Sequence, residues 1–105
     1  MAPKLIATED PKQILQSQTY NFASWGYPYH TLEQYVERER LLRQTPFSKS
    51  GLTTWVLIEA DNPMDLLSAC ETYEYPSLTL VDGEVVEGTC FAIASVFTPP
   101  HHRKK

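Results

Sequence analysis

Polar and apolar positions change their period twice along the chain. Leu5-Ile6-Ala7 is a short apolar run that predicts a strand. Asp10-Pro11-Lys12-Gln13 then reads as a helix start, with a capping Asp, Pro at the first helical position and Gln three residues after the cap. That helix is predicted to run to about Ser17. The segment from Asn21 to Thr31, "NFASWGYPYHT", is rich in aromatics, is broken by Gly26 and Pro28, and predicts a loop. Thr31-Leu32-Glu33-Gln34 is a second capping box and opens a helix to about Arg43. Leu32, Tyr35, Val36 and Leu42 fall on one side of it. Glu37, Arg38, Glu39, Arg40 and Arg43 cover much of the rest, a pattern expected of a solvated helix face.

Beyond Pro46 the period shortens toward that of strands. "LTTWVLIEA" (Leu52 to Ala60) is β-rich, with Trp55 expected in the core, and "DNPMD" after it predicts a turn. Leu66 to Val81 is a long extended stretch in which Pro76 is expected to mark a bulge or break. Asp82-Gly83 turns the chain into Val85-Val86, and Gly88 to Thr98 forms the last strand. The predicted order is a short strand, two helices and a three-stranded antiparallel meander, an α+β domain.

Composition narrows the class. A chain of 105 residues with 42% apolar and 21% charged residues is at most one ordinary globular domain, or a piece of one. No apolar run approaches the roughly 18 residues of a membrane span. Met1-Ala2-Pro3-Lys4 lacks the apolar core of a secretory signal, so a cytoplasmic protein is expected. The net charge is −4, which argues against a nucleic-acid partner. Arg103, Lys104 and Lys105 gather three of the nine basic residues, enough for a local anion site only.

Two cysteines, Cys70 and Cys90, lack metal-ligand spacing. If Asp82-Gly83 is a two-residue turn, Cys70 faces Ser95 and Cys90 faces Tyr75, too far apart for a disulfide. Two buried free thiols are expected. His101 and His102 adjoin without a third ligand, so they read as tail residues and no metal is expected.

Four segments then carry a resemblance: "WGYPYHTLEQYVERERLL", "LTTWVLIEA", "SACETYEYP" and "ASVFTPPHHR". Together with the element order they resemble the first half of the GNAT (Gcn5-related) N-acetyltransferase fold, and in particular the N-terminal portion of the fungal lysine N6-acetyltransferase family. In GNAT enzymes the fourth strand delivers a Gln/Arg-x-x-Gly-x-Gly/Ala segment to a helix start. Here "GTCFAIASVFT" runs into "PPHHRKK", and Arg103 stands where that motif begins. Residues 1–105 would thus be a partial GNAT domain that ends at the threshold of the acetyl-CoA pyrophosphate site.

The resemblance implies acetyl transfer from acetyl-CoA to an amine, with the side-chain amine of lysine as the acceptor. It also implies that Val96, Phe97 and Thr98 pair with the pantetheine arm, and that Arg103, Lys104 and Lys105 attract the phosphates. The glycines and helix that would cradle the pyrophosphate are not among these residues, so the 105 residues alone are expected to be inactive. Acetyl transfer needs a base for the lysine ammonium. Thr89 to Thr98 holds no carboxylate, which leaves Glu87 and, preferably, Glu71 beside Cys70 and Tyr73. The plainer reading of Glu71 is a solvent-facing carboxylate. Trp25, Tyr27 and Tyr29 correspond to the connection that borders the acceptor in this fold, with Trp25 and Tyr27 preferred as substrate contacts; alternatively these rings plug the sheet.

Ending at "CFAIASVF" would leave an apolar edge strand, a template for self-association. A second reading is therefore a small non-catalytic α+β module that pairs with a partner by strand addition.

Overall fold

The computed structural model describes residues 2–103 and is α+β. Its four strands, β1 (Lys4–Thr8), β2 (Leu52–Ile58), β3 (Ser68–Val81) and β4 (Glu84–Phe97), form one antiparallel sheet in sequence order. Three helices, α1 (Pro11–Trp25), α2 (Leu32–Arg43) and α3 (Pro46–Gly51), all lie between β1 and β2 in the chain. The predicted meander therefore gains β1 as an outer strand, with Lys4 opposite Ile58 and Thr8 opposite Thr54. A single 3-10 turn, Pro100–His102, follows β4. None of the described helices is long and apolar enough to cross a membrane.

Local capping sets the helix starts. The Asp10 side chain accepts from the Lys12 amide at the head of α1, with Pro11 at its first position. Gln13 does not close a capping box. Its side chain is buried instead, accepting from Thr8 Oγ1 and donating to the Pro63 carbonyl at 2.9 Å. α1 also runs past Ser17 to Trp25, so the predicted loop begins only at Gly26. The extra turns hold because Phe22 packs against Tyr35 and Trp25 against Phe97, packing that outweighs the weak helix propensity of "NFASW". α2 opens on the predicted box, Thr31 accepting from Gln34 and Gln34 reaching back to the Thr31 amide. α3 was not expected; Thr45 caps it and Pro46 fits its first position.

Asp82 and Gly83, with φ of 50° and 80°, form the two-residue turn of the β3–β4 hairpin. The pairing stays regular through Pro76, opposite Thr89, so the bulge expected there does not form. It lies instead near the other end. Ala69 opposes Phe97 while Glu71 opposes Ala94, so Ser95 and Val96 together face Cys70. Ser95 takes a φ of 54°, the left-handed conformation that accommodates the extra residue. Cys90 faces Tyr75 as expected, and both cysteines are free, but each is half-buried rather than buried.

β2 alternates between buried Thr54, Val56 and Ile58 and half-buried Trp55 and Leu57. Val56, Ile58 and Leu66 form a small core with Ile6, Tyr20 and Ala69, and α1 covers that face through Tyr20. Trp55 is thus not in this core; it lies on the opposite face, where its indole donates to Thr72 Oγ1 at 2.9 Å. That face also carries Leu5, Phe91, Ile93 and Val96, all exposed. At Gly51, where α3 meets the sheet, a Cβ would collide with the Glu74 carbonyl oxygen.

Candidate functional site

The bulge in β4 opens a cavity of about 430 Å³ between the sheet and the α1–α2 corner. Ser95 lines it from β4, Glu71 and Tyr73 from β3, Trp25 from the end of α1, and Tyr35, Arg38, Glu39 and Leu42 from α2. Glu71 reaches it because its position on β3, opposite Thr54 and Ala94, puts it on the helix-covered face. Its side chain is only 12% exposed, which sets aside the reading of a solvent-facing carboxylate. Arg43, the last residue of α2, donates to Glu71 Oε2 and to Thr54 Oγ1, each at 3.0 Å. The Arg43 Nε is buried with no partner among the described residues.

Burial pushes the Tyr35 phenol above its ordinary pKa, and the charge and hydrogen bond of Glu39 push it further. Tyr73 is raised first by burial and then by Glu71 and Glu39, against a smaller opposing effect of Arg43. Both phenols therefore remain protonated at neutral pH and can donate. Two carboxylates and an indole ring suit an amine or ammonium ligand, while Arg38 offers a cation at the same cavity. A larger space of about 610 Å³ has Glu9 and Arg43 as its charged lining groups among the described residues. The smaller cavity is chemically the richer one.

Of the residues singled out in the sequence, Glu71 and Trp25 meet in this cavity. Tyr27 does not line it; its ring lies edge-on to Phe22 at 6.4 Å and is largely exposed, as is Tyr29. Glu87 faces Leu78 far along the hairpin, roughly 23 Å from Ala94 at the rise of a strand. Val96 is exposed on the open face, and Phe97 is buried between Tyr20 and Trp25. The Phe97 carbonyl accepts from Ser68 Oγ and the Thr98 carbonyl from Arg103 Nε, so both are already engaged. Arg103 folds back, its guanidinium 5.3 Å from the centre of the Phe97 ring. Lys104 and Lys105 lie outside the described residues.

Arg43 and Glu39 were missed as site residues. Charged groups on a helix at that density read as solvated, and Glu37 and Arg40 do pair on the exposed side. The available signal was spacing. Tyr35, Glu39 and Arg43 recur every fourth residue and share the inward face of α2, whereas Leu32 and Leu42 are exposed.

A curated protein of Yarrowia lipolytica named "Lysine acetyltransferase" is 34% identical to this chain over 97 residues, which are 90% of this chain and 24% of that protein. No family model matches the chain, and no solved structure matches it. The chain spans about a quarter of the length of the curated relative it matches, and over nearly all of its own length it is related to an acetyltransferase.

Proposed function

We propose that the chain forms the first half of a GNAT-type domain that transfers acetyl from acetyl-CoA to the side-chain amine of lysine. What carries this reading is the relationship to a lysine acetyltransferase along nine-tenths of the chain. The β4 cavity adds chemistry that suits it. A lysine ammonium would rest against Trp25 and give up a proton toward Glu71, leaving a neutral nitrogen to attack the thioester carbonyl. As the C–S bond breaks, the Tyr73 hydroxyl would give its proton to the departing thiolate and take up the one that the newly acylated nitrogen sheds, which returns it to the phenol. Arg38 would hold the substrate carboxylate. Arg103 and Trp25 both lie against the Phe97 ring, so the cofactor end and the acceptor end would meet at the foot of β4.

These residues do not contain the glycine loop that would hold the pyrophosphate. Acetyl-CoA is accordingly expected to bind only when the rest of such a domain is supplied. Calorimetric titration tests this with two proteins: the 105-residue chain, and a chimera in which it replaces the matching segment of the Yarrowia relative. Binding to the chimera and none to the chain alone is the expected result. A folded chimera that takes up no acetyl-CoA would refute it.

A second reading, a non-catalytic module that pairs through its last strand, is favoured by one feature. β4 ends the sheet with no strand beyond it among the described residues, and Phe91, Ile93 and Val96 stand exposed beside that edge.

A further inference from the structure

The two histidines near the end of the chain do have a third potential ligand. Asp65, on the connection between β2 and β3, lies with its Oδ1 2.8 Å from His102 Nε2 and 3.5 Å from His101 Nε2. All three donor atoms fall within 4.8 Å of one another. The 3-10 turn brings this about by presenting both imidazoles on one side, their ring centres 4.2 Å apart.

We propose that Asp65, His101 and His102 form a site for a divalent transition-metal ion of the zinc class. A metal held about 2.0–2.2 Å from each donor needs donors about 3.4 Å apart in a tetrahedral arrangement. The 3.5 Å separation already matches that edge, and the 2.8 Å one needs a modest opening. Two imidazole nitrogens with one carboxylate oxygen form a borderline donor set that favours zinc, cobalt, nickel or copper over magnesium or calcium. Anchoring the turn needs a single hydrogen bond to Asp65; the convergence of a second nitrogen on the same oxygen is what the metal accounts for. The His101 side chain is 57% exposed and that of Asp65 34%, so an ion has a way in. Asp65 and His102 also line a cavity of about 470 Å³, which leaves room for water to complete the coordination. Bound there, the ion would pin the turn after β4 to the β2–β3 connection and fix the direction in which the chain leaves the sheet.

The test uses the tag-free 105-residue chain, titrated with cobalt(II) and followed by visible absorption, and with zinc(II) followed by melting temperature. One equivalent of cobalt giving the intense visible bands of a four- or five-coordinate ion, and a rise in melting temperature with zinc, are expected. His101→Gln removes an exposed ligand and should weaken binding at least about tenfold. Asp65→Asn should do likewise, with circular dichroism reporting the fold of each variant. His30→Gln, away from the cluster, should bind as the unaltered chain does. Absence of binding to the unaltered chain would overturn the proposal, and so would equal affinity in folded His101→Gln and Asp65→Asn.

Discussion

Glu71 shows how much one side chain depends on its neighbours. In sequence it is a carboxylate on a strand; in the fold it is nearly enclosed, held by Arg43 and faced by Tyr73. Its charge also reaches Cys70, whose thiol is raised above its ordinary range by burial first and by Glu71 second. A raised pKa means less thiolate at a given pH, and the thiolate is the reactive form. Cys70 should therefore alkylate more slowly than a small-molecule thiol at mildly alkaline pH, and Glu71→Gln should speed it. Peptide-resolved iodoacetamide labelling checks both. Leu66 is the residue on which the small core most depends, since it is fully buried against Val56 and Ile58. Leu66→Ala should cost about 2–5 kcal/mol in urea denaturation.

At the scale of elements, the readable parts of the fold were those written locally. α2 begins and ends where its capping box and charge pattern put it, and the Asp82-Gly83 turn sets the pairing of Cys90 with Tyr75. Thr31→Ala should remove one side of that box and lower stability by about 1 kcal/mol, measured by denaturation. The length of α1 was not readable, because its last turns are held by Tyr35 and Phe97, residues that come later in the chain. The same holds for the candidate sites. Glu71 could be picked out, but not Arg43, which is 28 residues away, and the third partner of the histidines, Asp65, is 37 residues from His102. Long-range pairings of this kind leave no periodicity in the sequence. Gly51 is another example, since its need for a bare Cα comes from the Glu74 carbonyl across the sheet. Gly51→Ala should destabilise by roughly 1–3 kcal/mol, whereas Gly88→Ala, which meets only the Ser77 hydroxyl, should be far milder.

The whole molecule is longer than its size requires. Its radius of gyration is 16.3 Å, against about 13 Å for a compact domain of this length. The β3–β4 hairpin accounts for the difference, carrying exposed Leu78, Leu80, Val85 and Val86 away from the core. Leu5, Phe91, Ile93 and Val96 are exposed as well, on the open face of the sheet, and grouped apolar side chains of this kind mark an interaction surface. Light scattering coupled to size exclusion should show self-association that grows with concentration. Ile93→Lys, a change at an exposed position, should shift the population toward monomer. A monomer at all concentrations with a sharp thermal transition would mean that the apolar face and the β4 edge need no cover.

The most direct measurement is the rate at which free lysine is acetylated by the chimera carrying this chain in the Yarrowia relative, read by mass spectrometry with acetyl-CoA present. The chimera should acetylate the lysine side chain, Glu71→Gln should slow it about a hundredfold, and Glu87→Gln, far along the hairpin, should change it by no more than about twofold. A folded chimera that binds acetyl-CoA yet acetylates no lysine, or does so equally well with Gln at position 71, would contradict the role given to the cavity beneath the β4 bulge.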